Sequence, residues 1–263
     1  MILWSVLRAE CRREFLHIQA YFLDFLADQV LFVAGFLLLT GLFQLVSQGE
    51  FTATKRLVSL TGFLTWRVAD GILLHSVNGM ARDARWGTLE QIWLSPVHPS
   101  LVLAVRIMAA LLIYTLRAAL IAAIVAPLLG IVLPVNLSLA VVFLLTQAGV
   151  AGVALGLLGL HLTYKQVASV GLALSTALLF VTGALFPLEG IPWLTGFAQI
   201  LPLGLGIQLL QEIAPAPVSL VELVTFPAFH WLSVHTVVSC LIGVLLLRRG
   251  EHMARQRGQL AHY

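Results

Sequence analysis

Residues 30–43 read VLFVAGFLLLTGLF, a run without a single charge. With its flanks it extends from about residue 20 to 46. At about 1.5 Å per residue, a helix of that length crosses a hydrocarbon core of roughly 30 Å. A helix also satisfies its own backbone polar groups, which lipid cannot do. Five more runs of the same kind follow, at about 57–80, 101–127, 137–160, 167–186 and 222–247. The spacing predicts an all-α polytopic membrane protein with six transmembrane helices, forming one domain over residues 1–263.

Composition points the same way. The chain has 263 residues, of which 60% are hydrophobic and 10% charged. Its mean hydropathy is +0.98. A soluble domain carries about 25% charged residues, so too little polar surface is available here to cover a water-soluble globule. The net charge of +3 comes from residues in short loops between apolar runs. Membrane topology accounts for them, and no basic stretch with interleaved aromatics forms a nucleic-acid platform. Cys11 and Cys240 lie in different segments without a CxxC partner, and read as free thiols.

The segments between the runs are informative. In residues 1–19, Leu3, Leu7, Cys11, Phe15 and Ile18 recur every three or four positions, while Arg8, Arg12, Arg13 and Glu14 lie off that stripe. This is an amphipathic helix lying in the membrane interface. Its charges, Glu10 included, interrupt the apolar stretch that a cleavable signal requires. Residues 187–217 are apolar but broken by Pro187, Pro192 and Pro202. They are expected to form a re-entrant hairpin of short helices in the outer leaflet, its backbone covered by protein.

Orientation follows from Lys and Arg in short loops. With both termini on one side, that side holds Arg8, Arg12, Arg13, Arg82, Arg85, Lys165, Arg248, Arg249, Arg255 and Arg257, against Lys55 and Arg56 on the other. The bias places both termini in the cytoplasm of a bacterial or archaeal cell, in its inner membrane.

The chain carries no G-x-x-x-x-G-K-[ST] phosphate loop, no H-E-x-x-H and no G-x-S-x-G. No catalytic, cofactor-binding or metal-ligating set is expected. His230 and His235 have no acidic or cysteine ligand beside them and read as interfacial histidines. Gly152 and Gly156 form a small-xxx-small pair suited to helix packing.

The longest inward loop, residues 81–100, reads ARDARWGTLEQIWLSPVHPS. Trp86, Leu89 and Trp93 fall at i, i+3 and i+7, and Asp83, Arg85, Glu90 and Gln91 mark the other faces. The pattern predicts a short amphipathic helix across the mouth of two spans, stopped by Pro96 and Pro99, with Ser100 capping the next span.

This stretch resembles the one after the second span in permeases of the ABC type-2 (ABC-2) exporter family, through Arg85, Gly87, Thr88, Leu89, Glu90, Gln91 and the Ser95-Pro96 pair. LFPLEGIPWLTGFAQILPL (185–203) is similar to that family's re-entrant hairpin, and the N-terminal interfacial helix stands where the family places one. Where the family often carries a lysine, this chain has Arg106. The resemblance implies that Asp83, Arg85, Trp86, Gly87, Thr88, Leu89, Glu90 and Gln91 form a cytoplasmic coupling helix seated in a separate ATPase subunit. That partner would supply the site for ATP and Mg. The permease would pair with a second copy or a paralogue and export a substrate outward.

Several spans carry charges. Arg67 and Asp70, at i and i+3 on the second span, are expected to pair. Asp24 and Asp28 share a face of the first span, within reach of Arg8, Arg12 or Arg13. Arg117 has no local partner, and Asp70 or Glu222 on a neighbouring helix is a candidate. The alternatives are an ABC importer permease, whose corresponding loop stands late in the chain, and a membrane-embedded enzyme, which would need a convergent catalytic set. Spans rich in Leu, Val, Ala and Phe suit an amphipathic or lipid-like cargo, a drug, a lipid or a glycan.

Overall fold

In a computed structural model of the chain, residues 2–46, 52–164, 167–185, 192–216 and 218–256 are described. Lys165, Pro187 and Arg257 lie outside the described residues. The fold is helical: α1 (Ile2–Ala20), α2 (Phe22–Val46), α3 (Ala53–Arg85), α4 (Leu89–Leu94), α5 (Pro99–Leu128), α6 (Leu137–Thr163), α7 (Ala168–Val181), α8 (Pro192–Ala198), α9 (Pro202–Ile213), α10 (Leu220–Leu223) and α11 (Pro227–Gln256).

Five of these, α2, α3, α5, α6 and α11, are long and apolar enough to cross a membrane. The expected fifth span is shorter than its sequence suggested. α7 has 14 residues, about 21 Å of helix, and the chain turns away at Gly183, whose φ of 72° favours glycine. The proline-broken segment is a bent pair, with α8 and α9 meeting at 110°. Counting that pair as one span gives six. The last span also shifts. The chain breaks after α10, restarts with proline in the first turn of α11, and stays helical past residue 247. Its polar end remains ordered because Glu251 and Ala254 are buried against the bundle.

α3 occupies the centre, packing on α5, α6, α7 and α9. It is the least apolar of the five long helices and the most buried. The two facts have one cause: its polar side chains are turned toward protein, where partners can be provided, and away from lipid. α2 lies against α3 along one side, with Phe36 on Phe63 at a ring-centroid distance of 4.7 Å and Phe32 on Trp66 at 6.0 Å, while Leu31, Leu38 and Leu45 on its other side are exposed.

α6 and α11 form the tightest helix pair. A Cβ added at Gly152 would stand 2.6 Å from the Cys240 backbone nitrogen, and one at Gly243 would collide with the Gly152 carbonyl. One turn-pair further, Gly159 and Gly250 repeat the arrangement. Backbones this close let side chains bond across the seam: Ser239 Oγ donates to the Gly149 carbonyl at 2.8 Å and Thr236 Oγ1 to that of Leu145 at 3.1 Å. Without a hydrophobic drive between helices in lipid, such close packing and cross-helix bonding hold the pair together.

Candidate functional site

The segment between α3 and α5 is built in two pieces. α3 runs to Arg85 and is capped by Trp86. Gly87, at φ 68°, then reverses the chain, a conformation that suits a residue without Cβ. α4 follows over Leu89–Leu94. Asp83, Arg85 and Trp86 therefore belong to the end of α3, and the single helix expected from Asp83 to Gln91 is divided at Gly87. The backbones of Leu89 and Glu90 open α4; their side chains lie outside the described residues.

The turn is held from below. Thr88 donates its backbone N–H to the Asp83 carbonyl at 2.9 Å. Its hydroxyl also turns back, reaching Asp83 Oδ1 at 3.4 Å, instead of capping α4. The other carboxylate oxygen of Asp83 accepts from Arg106 Nη1 at 2.6 Å. Arg106 Nη2 reaches Glu10 on α1 at 3.4 Å. One buried guanidinium thus joins α1, α5 and the end of α3 directly beneath the turn. Sequence reading gave Arg106 only a charge. Its partners lie 23 and 96 positions away, and no local periodicity carries that information.

The far end of the segment is tied too. Pro99 opens α5 within its first turn. Ser100, expected as a cap, donates its hydroxyl to Glu251 at the end of α11 at 2.8 Å. Ile92 and Trp93 pack against the core. What remains outward is a ridge: Trp86 is 72% exposed and Leu94 84%, with Gln91 and Arg85 also exposed. A groove of about 640 Å³ runs beside it, between α1 and α4, lined by Val6, Glu10, Arg13, Trp86 and Ile92 among others. Two bare apolar side chains on a polar, anchored turn are a surface suited to a protein partner.

α1 is more than an interfacial float. Glu10 and Glu14 sit near Arg13 at 3.3 and 3.8 Å, and Glu14 approaches His75 of α3 at 3.5 Å. The thiol of Cys11 on this helix is pushed up from its usual range, by burial first and then by Glu10 and Glu14.

A second charge cluster lies further along α3. Arg67 Nη1 donates to Asp70 at 3.1 Å and Nη2 to Asp28 at 2.7 Å. Asp28 therefore meets α3, not the arginines of α1. Arg117 also turns to Asp28, at 3.9 Å, and not to Asp70 or Glu222. Arg67 lies 3.7 Å from the centre of the Phe32 ring, and Tyr114 stands between the two guanidiniums. Ser175 of α7 donates its hydroxyl to Asp70, bringing a fourth helix into the cluster. His235 Nδ1 lies 2.8 Å from the Trp231 carbonyl within α11, and the His230 and Phe229 rings form a T-shaped pair with centroids 6.2 Å apart.

The family model described as ABC-2 type transporter matches residues 18–214. No curated protein gives a match.

Proposed function

Because the chain belongs to the ABC-2 type transporter family, we propose that it is the permease subunit of an ATP-driven exporter whose ATPase is a separate chain. The observation that carries this reading is the anchored turn at 85–94, where Trp86 and Leu94 stand bare above a buried Asp83–Arg106–Glu10 network. The absence of a phosphate loop from this sequence supports a division of labour with an ATPase carried elsewhere.

The turn is the contact for that partner. ATP closure of two ATPase subunits moves two such turns together, one from each permease, the second being a copy of this chain or a paralogue. The push enters α3 through Asp83 and α5 through Arg106, and reaches α1 through Glu10. A buried ion pair is a stiff joint, since separating it strands a charge in a low-dielectric place. The permease thereby responds as a body, and the path between two permeases opens outward.

Both termini lie in the cytoplasm of a bacterial or archaeal cell, as the excess of Lys and Arg on that side favours. The cargo is an amphipathic or lipid-like molecule, a drug, lipid or glycan, consistent with the apolar spans. The test is co-purification. Isolated from its own membrane, the intact protein should bring an ATPase whose activity is vanadate-sensitive, and Leu94→Asp should release it. A monodisperse protein that never carries an ATPase would overturn the reading.

A further inference from the structure

At the end of the bundle where Ser100 bonds Glu251, α5, α6 and α11 line a groove of about 670 Å³, within the size range of small-molecule sites. Its lining changes character along its length, and the three helices agree on the direction. α5 starts at the groove with His98 and Ser100 and continues into the bundle past Leu101 and Ala104. α11 passes in the opposite sense, with Val244 and Leu247 before Arg248, His252 and Arg255. α6 runs parallel to α11, since Gly152 meets Gly243 and Gly159 meets Gly250. Its Leu155 therefore lies on the Val244 side. One half of the groove is apolar and the other basic.

The basic half is not neutralised from within. Glu251 is the one carboxylate among the lining residues. It is buried and accepts the Ser100 hydroxyl at 2.8 Å, so it is turned into the contact between α11 and α5. His252 is engaged with Gln256 at 2.9 Å. Arg248 and Arg255 are exposed, and among the described residues neither has an ion pair. They share a face of α11 two turns apart, about 10 Å along the axis. Arg248 thus stands at the boundary with the apolar half, and Arg255 further toward water. Arg249 is equally exposed but does not line the groove. Solvation alone accounts for Arg249. Arg248 differs because it overlooks a trough whose apolar side chains Leu101 and Val244 are exposed to lipid.

We propose that this groove binds an anionic phospholipid, its phosphate at Arg248, the outer part of its headgroup toward Arg255, and one acyl chain along Leu101, Ala104 and Val244. A cationic site between spanning helices at the level of the headgroups suits such a lipid. A zwitterionic headgroup would bring its ammonium to Arg255, with Glu251 already committed to Ser100. A free phosphate would leave the apolar half unused. The proposal requires only that the chain sits in a bilayer. Its failure would therefore leave the docking of an ATPase untouched.

The experiment is lipid retention by the full-length protein without nucleotide, read by native mass spectrometry against phosphatidylglycerol, phosphatidylethanolamine and soluble glycerol 3-phosphate. The wild type should hold phosphatidylglycerol about tenfold more tightly than phosphatidylethanolamine, the scale of one charge-assisted contact. Arg248→Gln and Arg255→Gln should each narrow that gap, and the double variant should close it. Both side chains are exposed and unpaired, so these variants keep the fold. Arg249→Gln, which removes the same charge one residue away, should leave the gap as it is. Equal retention of the two lipids by the wild type would overturn the assignment. So would a gap that survives the double variant, one narrowed as much by Arg249→Gln, or displacement by glycerol 3-phosphate at the lipid's own concentration.

Discussion

Arg106 and Asp83 lie 23 residues apart in sequence and 2.6 Å apart in the fold, and the bond between them joins the last turn of α3 to α5 under the exposed turn at 85–94. Removing one partner leaves the other buried and charged, which in comparable sites costs about 3–5 kcal/mol. Arg106→Met should therefore lower the thermal unfolding midpoint of the detergent-solubilised protein by several degrees and more than Arg85→Met, whose side chain is exposed. Equal midpoints would remove the network from the account.

The α6–α11 seam makes a sharper steric prediction. Gly243 has no space for a side chain against the Gly152 carbonyl, while Gly35 on α2 has nothing within 4 Å of an added Cβ. Gly243→Leu should destabilise by at least about 1–3 kcal/mol, as overpacking does, and reduce the amount of folded protein in the membrane. Gly35→Leu should leave both unchanged. Size-exclusion profiles and thermal midpoints of the two variants decide it.

Cys11 gives a pH prediction. Burial, Glu10 and Glu14 all favour its neutral thiol, and only the thiolate is alkylated. The folded-state pKa is raised, so labelling is slow at neutral pH and keeps climbing above about 8.5, where an ordinary thiol reaches its midpoint. Maleimide labelling of a Cys240→Ser protein across this range measures the displacement. A midpoint at or below the ordinary value would contradict the packing of α1.

The outward ridge should be separable from stability. Leu94 is 84% exposed and Trp86 72%, so Leu94→Asp and Trp86→Ala should change the thermal midpoint by no more than about 0.5 kcal/mol equivalent. Each should nevertheless lower ATPase co-purification severalfold, because exposed aromatic and apolar side chains carry much of the energy at protein interfaces.

Much of this fold was legible because lipid imposes simple rules. The uncharged run at 30–43 and its counterparts announce helices, and five of the long ones are apolar enough to span. The prolines at 192 and 202 marked the bent pair. What escaped was whatever depends on distance in three dimensions. A charge pattern can pair Arg67 with Asp70 at i and i+3, but cannot bring Asp28 and Arg117 to the same place. Likewise Glu10 and Arg106 meet only after α1 has packed on α5. Trp86, Leu89 and Trp93 keep helical spacing, yet Gly87 reverses the chain among them, because one residue at positive φ outweighs a pattern of side chains.

The account turns on residues 85–94 contacting a separate ATPase. With Cys11 and Cys240 replaced by serine, Leu94→Cys provides a single reactive site on the exposed ridge. Treated with a short bifunctional thiol reagent in native membranes, this protein should form one crosslinked product with an ATPase subunit, and vanadate trapping should change its yield. Labelling of that cysteine from outside intact cells by a membrane-impermeant reagent, with no crosslink to any ATPase, would contradict it.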